Sequence, residues 1–170
     1  MSESADRHRQ AAIGQVARCA VLTVSDSRTA DNDSGGDTIA RRLRQAGHEV
    51  VEREWVRDEA TEIGRVLTLW LARKDIQVIL TTGGTGISSR DTTVEVVERF
   101  LEKRLDGFGE LFRMLSFREI GAAAMLSRSV AGLARGIVVF ALPGSVAAVE
   151  LALDRLILPE LEHLVWERRR

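Results

Sequence analysis

The sequence predicts an α/β fold: a three-layer sandwich in which a mainly parallel sheet carries helices on both faces. Three observations predict it. Short apolar runs alternate along the chain with segments whose apolar residues recur at i, i+3, i+4 and i+7. The runs are continuous, as expected of strands buried on both faces of a parallel sheet joined by right-handed crossovers. Several of them end in serine- or glycine-rich loops, and sheets of this kind bind ligands beyond the carboxyl ends of their strands.

The first run is Ala20-Val21-Leu22-Thr23-Val24, which exits into Ser25-Asp26-Ser27. A polar loop from Thr29 to Gly36 follows. Asp37 to Ala46 reads as a helix, with Ile39, Ala40, Leu43 and Ala46 on one face and Gly47 as its stop. Strand character returns from His48 to Val56. Asp58 then stands where an N-cap would, before the helical stripe Ile63, Val66, Leu67, Trp70 and Leu71. Ile76 to Leu80 is a buried strand running into Thr81-Thr82-Gly83-Gly84-Thr85-Gly86. Helical spacing resumes after Asp91 with Val94, Val97, Leu101 and Leu105. A loop around Gly107 and Gly109 leads to further helical stretches through Met114, Ile120 and Met125. Gly136 to Leu142 is the last strand, stopped by Pro143-Gly144-Ser145. The final helix carries Val149, Leu153 and Leu156, and Pro159 breaks or kinks it.

The 170 residues suit one domain, with 45% hydrophobic residues for a core and 29% charged. Residues 1–16 are expected to be a flexible leader and 17–167 a single domain, with Arg168, Arg169 and Arg170 a hydrated tail. A net charge of −1 supplies no basic field for nucleic acid. No apolar run approaches the ~20 residues of a membrane span, and the N-terminus lacks the hydrophobic centre of a secretory signal. A cytoplasmic location is therefore expected. The single cysteine, Cys19, rules out an internal disulfide and opens an apolar run, so it reads as an inert core thiol.

Thr81 to Gly86 is the most informative segment. Three glycines in four residues let the backbone turn sharply and approach a ligand closely. Their N–H groups suit a phosphate or a polar ring edge. Neither the lysine-bearing P-loop nor the dinucleotide GxGxxG pattern is present, so a purely structural strand-to-helix turn stays open. Asp91 ends this loop as either an N-cap or a carboxylate aimed into the crevice. Asp58 carries the same ambiguity, and Asp26 makes a third acidic residue on that edge. Three carboxylates face one another only with a cation to neutralise them, and Mg²⁺ is typically held by one or two carboxylates plus substrate phosphates. Such a set suits phosphate chemistry driven by positioning and charge neutralisation.

Five ordered motifs resemble one family. They are Thr23-Val24-Ser25-Asp26; Thr81 to Gly86 followed by Arg90-Asp91; Gly107-Phe108-Gly109-Glu110 through Phe117; Leu126-Ser127-Arg128-Ser129-Val130-Ala131-Gly132; and Leu142-Pro143-Gly144-Ser145. The family is that of MoaB, MogA and the gephyrin G domains, and the resemblance spans roughly residues 17 to 165. It implies a molybdopterin adenylyltransferase that transfers AMP from ATP to the phosphate of molybdopterin with Mg²⁺. It also implies a trimer or a dimer of trimers whose product passes to a molybdate-inserting enzyme. Asp58 and Asp91 match the aspartates tied to catalysis and Mg²⁺. Ser25, Asp26, Thr82, Gly83, Gly84, Thr85, Gly86, Ser127, Ser129, Pro143, Gly144 and Ser145 match the pterin and nucleotide pocket, and Glu110 matches a pocket-lining acidic position. Val146, where MogA-like members more often carry proline, lies nearer MoaB, some of whose members have lost adenylylation. A non-catalytic molybdopterin-binding or scaffold member is thus the alternative. The Arg90-Asp91-Thr92 run resembles active members. Phe108, Leu111, Phe112 and Phe117 are numerous for a surface helix, which suits an oligomer interface.

Overall fold

The computed structural model describes residue 10, residues 12–29 and residues 31–168. Six strands form one sheet in the order β2-β1-β3-β6-β5-β4. They are β1 (Arg18–Val24), β2 (Glu49–Val56), β3 (Val78–Thr82), β4 (Lys103–Arg104), β5 (Val130–Ala134) and β6 (Ile137–Leu142). β1 pairs parallel with β2 and β3, and β3 pairs parallel with β6. β5 and β4 run antiparallel at the far side. The helices are α1 (Ser34–Gln45), α2 (Ala60–Trp70), α3 (Thr93–Phe100), α4 (Asp106–Ile120), α5 (Val146–Ala152) and α6 (Leu158–Glu167). A 3₁₀ turn (Gly121–Leu126) follows α4, and a π turn (Leu153–Ile157) joins α5 to α6.

The strand sequences explain the two-sided core. Successive residues point to opposite faces, and in β1 Cys19 and Val21 enter one cluster while Ala20, Leu22 and Val24 enter the other. Val78 and Leu80 of β3, with Val138, Phe140 and Leu142 of β6, join the first cluster. Ile39 and Leu43 of α1, Phe108 and Phe112 of α4, and Val149, Leu161 and Val165 complete it. The second cluster takes the expected α2 stripe of Ile63, Val66, Leu67 and Trp70, with Val94 and Val97 of α3. The chain therefore leaves β1 for a helix on one face and leaves β3 for a helix on the other. Neighbouring strands whose connections diverge in this way open a crevice at their carboxyl ends.

The edges are defended differently. β2 alternates charge into its half-buried pattern through Glu49, Glu52, Arg53 and Glu54, and β4 is only two residues long; both devices blunt edge pairing. β5 and β6 form a tight hairpin whose two loop residues, Arg135 (φ 49°) and Gly136 (φ 73°), both have positive φ. That is the backbone a two-residue hairpin requires. β4 and β5 were not foreseen, because a two-residue strand has no pattern and Gly132 dilutes the second. Pro159 stands at the start of α6, just after the π turn. A proline inside a helix clashes with the carbonyl four residues earlier, and the widened turn relieves this, so the expected interruption falls where the chain widens.

Some expectations shift. α1 starts at Ser34 rather than Asp37, because the Asp33 carboxylate caps Gly36 N at 2.9 Å. Asp58 does not cap α2, whose N-cap position is Glu59 with no side-chain bond. Asp91 does not cap α3 either, since that position is Thr92. Residues 1–9 and 11 of the expected leader lie outside the described residues, but Ala12 is buried and Gly14 N–H donates to Glu162 Oε2 at 3.1 Å. Arg168 is tied down by a bond to Gly136 O at 2.7 Å rather than hydrated, while Arg169 and Arg170 lie outside the described residues. Phe108 and Phe112 belong to the core, whereas Leu111 and Phe117 are exposed. Cys19 is fully buried, and burial pushes its thiol up to about 12. Among the described residues no helix is long and apolar enough to cross a membrane.

Candidate functional site

Three loops leave the adjacent carboxyl ends of β1, β3 and β6 and are bonded to one another. Gly83 (φ 98°) packs so closely on the Val24 carbonyl that a Cβ there would collide with backbone, and its own N–H donates to Leu142 O at 3.1 Å. Only glycine accepts both demands cheaply. Thr82 Oγ1 donates to Pro143 O at 2.9 Å, and Arg28 Nη1 donates to Gly144 O at 3.1 Å. The convergence expected from the sequence is therefore built from direct contacts.

Beside these loops lies a cavity of about 360 Å³. Its polar rim is Gly83, Gly84, Thr85, Gly86, Asp91, Ser127, Pro143, Gly144 and Ser145. Its apolar wall comes from Phe112 and Ile120 of α4 and from Ala123, Ala124 and Leu126 of the 3₁₀ turn, with Ser116 among them. An apolar wall facing a few polar groups suits a flat heterocycle held by its edges. On the other side of Asp91 a second cavity, about 380 Å³, is lined by Ser88, Ser89, Thr92, Arg99 and Arg128 among others.

The carboxylates near this edge differ in what they meet. Asp26 Oδ2 pairs with Arg90 at 2.9 Å, and its Oδ1 lies 3.4 Å from Asp58 N–H. Asp58 Oδ1 accepts from Thr92 N at 3.1 Å and from Thr92 Oγ1 at 3.0 Å. Asp91 Oδ2 accepts from Ser88 N at 2.7 Å. Among the described residues Asp58 Oδ2 and Asp91 Oδ1 meet no donor and neither residue pairs with a base, although both are half-buried. A Cβ on Gly84 would overlap Thr93 Oγ1 and lie 2.5 Å from Asp58 Oδ2, so the Gly84 backbone runs directly beside that carboxylate. Thr93 Oγ1 is itself buried without a partner. Among the described residues no group of three or more His, Cys, Asp or Glu side chains could hold a metal alone. The donor set nevertheless fits Mg²⁺, which ordinarily takes one or two carboxylates and completes its shell with substrate phosphates and water.

The other expected site residues sit apart from the first cavity. Ser25 Oγ accepts from Ser27 N and Arg28 N and shapes its own loop. Thr82 is buried and spent on Pro143. Glu110 and Ser129 line a separate cavity of about 190 Å³ with Arg104 and Arg113. Ser129 is fully buried, its hydroxyl 3.4 Å from Ser127 Oγ.

Sequence reasoning passed over two arginines. Arg28 staples the first loop to the third, and Arg128 bonds Thr85 O at 3.3 Å, Asp91 O at 3.0 Å and the Glu95 carboxylate. Burial, the largest single influence, acts to raise the Glu95 carboxyl, but the bond from Arg128, a backbone bond and the charges of Arg128 and Arg99 together outweigh it and hold the group below its ordinary value. The signal for Arg128 was its place between Ser127 and Ser129 in a motif already noted. Asp33 was also missed. Fully buried, its Oδ2 accepts from Thr23 Oγ1, Arg53 and Trp55 Nε1, and Arg53 lies over the Trp55 ring at 5.0 Å.

The fold and this crevice define an α/β domain with a glycine-rich strand-to-helix loop and the Asp91 carboxylate at the rim of its cavity, Asp58 lying beside the loop at Gly84. Residues 20–163 match the family described as "Probable molybdopterin binding domain". Molybdenum cofactor biosynthesis protein B of Halalkalibacterium halodurans is 48% identical over 165 residues, covering 96% of each chain. A crystal structure of a Molybdenum cofactor biosynthesis protein B superposes with a TM-score of 0.89 at 45% identity, covering 92% of this chain and 98% of that one. The tungsten cofactor synthesizing protein MoaB from Pyrococcus furiosus gives a TM-score of 0.79 at 37% identity, covering 92% and 99%. The chain belongs to the molybdopterin-binding MoaB/MogA family.

Proposed function

We propose that this chain acts in molybdenum-cofactor biosynthesis as a molybdopterin adenylyltransferase. An oxygen of the molybdopterin phosphate forms a bond to the α-phosphorus of ATP. The bond from that phosphorus to the α,β-bridging oxygen breaks, and pyrophosphate leaves with the electron pair. The observation that carries this reading is the pair Asp58 and Asp91, half-buried beside a glycine-rich loop and, among the described residues, without a basic partner. A carboxylate with one oxygen left open and no base beside it is suited to a cation that arrives with a phosphate ligand.

Asp58 Oδ2 and Asp91 Oδ1 would hold Mg²⁺, which supplies neutralisation of charge on the phosphates. The chain's own groups do the rest. The Gly83–Gly86 backbone and the Ser127 and Ser145 hydroxyls orient polar edges of the ligand, and the Phe112, Ile120 and Leu126 wall excludes water. Exposed Met114, Phe117, Ile120 and Met125 beside that wall support a homo-oligomer, a trimer or a dimer of trimers. The product would pass to a molybdate-inserting enzyme. A non-catalytic molybdopterin-binding role is the second reading, favoured by Val146 after Pro143-Gly144-Ser145.

Incubation with molybdopterin and MgATP, followed by mass spectrometry, tests it. Adenylylated molybdopterin and pyrophosphate are the expected products; tight molybdopterin binding without pyrophosphate release supports the second reading instead. Asp91→Asn keeps the shape and removes the charge, so it should keep molybdopterin bound while slowing transfer by about 10²–10³-fold.

A further inference from the structure

We propose that Arg128 is a positioning residue for Asp91: its guanidinium fixes the span of the exposed loop that carries this carboxylate. The inference rests on the reading of Asp91 given above. Gly86, Ile87, Ser88, Ser89 and Arg90 are all exposed, so packing does little to hold them. Besides the backbone bond from Thr93 N to Gly84 O, the loop's two ends are joined by one side chain from outside it: Arg128 Nε reaches Thr85 O, just before the loop, at 3.3 Å, and Nη2 reaches Asp91 O, just after it, at 3.0 Å. Nη1 pairs with Glu95 in the first turn of α3. A planar guanidinium presents its donors in a rigid fork, so holding both carbonyls sets the distance between the loop's ends.

The same bonds argue against a phosphate-binding role for Arg128. Each of its three nitrogens already has a protein acceptor, and the side chain is only 30% exposed. Without it the base of the loop is still closed by Thr93 N donating to Gly84 O, Asp58 still holds Thr92 and Arg90 still pairs with Asp26; what Arg128 adds is the span from Thr85 to Asp91, which the Asp91 Oδ2 bond to Ser88 N, lying inside the loop, does not set. Lysine cannot replace this clamp, since a point charge with no fork holds one acceptor well and not three.

The test uses the full chain with Arg128→Lys and Arg128→Ala, each checked by thermal melt, and two readouts. In the first, molybdopterin adenylylation at saturating substrates should fall about 10²-fold in either variant, the scale a misplacement near 1 Å costs. Arg128→Ala with Asp91→Asn should then be no slower than Asp91→Asn alone, whereas independent roles would multiply. In the second, trypsin should cut the folded variants after Arg90 at least ten-fold faster than the wild type at temperatures well below their melting. Wild-type turnover in the variants with Asp91→Asn inactive overturns this inference alone. A fully active Asp91→Asn overturns the reading of Asp91 on which it rests. If the wild type makes no adenylylated product, the cleavage rate after Arg90 decides the clamp by itself, and an unchanged rate in Arg128→Ala and Arg128→Lys overturns it.

Discussion

Replacing Gly84 with alanine tests how tightly the rim of the cavity is built. Gly84 has φ +63°, and a Cβ would overlap Thr93 Oγ1 and lie 2.5 Å from Asp58 Oδ2. Alanine in the left-handed region costs about 1–2 kcal/mol. Forcing a methyl into a filled site adds about 1–3 kcal/mol. Gly47 separates the two terms, because it has φ +85° with nothing within 4 Å of a Cβ. Gly47→Ala should therefore cost the backbone term alone. In a chain of this size each kcal/mol lowers the melting temperature by roughly 2–4 °C. Gly84→Ala should melt roughly 4–20 °C below wild type and Gly47→Ala only about 2–8 °C below. Thr93→Ala removes the hydroxyl that the new methyl meets, so it should recover part of the excess in the double variant. Differential scanning calorimetry reads all four proteins. Equal losses for Gly84→Ala and Gly47→Ala would refute the claim that the loop packs on Thr93 and Asp58.

Asp33→Ala strands Thr23 Oγ1, Trp55 Nε1 and Gly36 N–H without their acceptor, while Arg53 keeps Asp37, and urea denaturation should show a loss of at least about 3 kcal/mol, at about 1–3 kcal/mol for each buried donor left unmade. His48 accepts a bond from Ala17 N through Nδ1, and burial lowers its pKa although Glu162 acts the other way. The unfolded chain then binds the extra proton more readily, so stability is full above about pH 6.5 and is lost as pH falls through the lowered folded value. Melts from pH 8 to 5 should show that slope in the wild type and a flatter one in His48→Gln. Cys19 is buried with its thiol near 12, so a thiol reagent at pH 8 should modify it only at the rate of unfolding; fast labelling of the folded protein would contradict this. Phe117→Glu should lower the mass seen by light scattering, and a wild type that is monomeric at micromolar concentration would remove the oligomer proposal.

What the sequence determined by itself is what local pattern can carry. The Ala20 to Val24 run and the Ile63 to Trp70 stripe each needed only their own periodicity to be read, and both are buried as that periodicity demanded. Consecutive glycines after an apolar run likewise marked the strand-to-helix loop without knowledge of its neighbours. Tertiary structure decided which polar groups meet. Whether Asp58 and Asp91 were caps or carboxylates with an open oxygen depended on Thr92 and Ser88 presenting their N–H groups, and on no arginine among the described residues pairing with them. Arg128 acts across 43 residues to Thr85 and 37 to Asp91. Asp33 is buried only because Arg53 and Trp55 of β2 return beside it. Hydrophobic burial is non-directional and follows composition and period, so it is written locally in the chain. A hydrogen bond or ion pair needs two groups at fixed distance and angle, and only the assembled topology sets those.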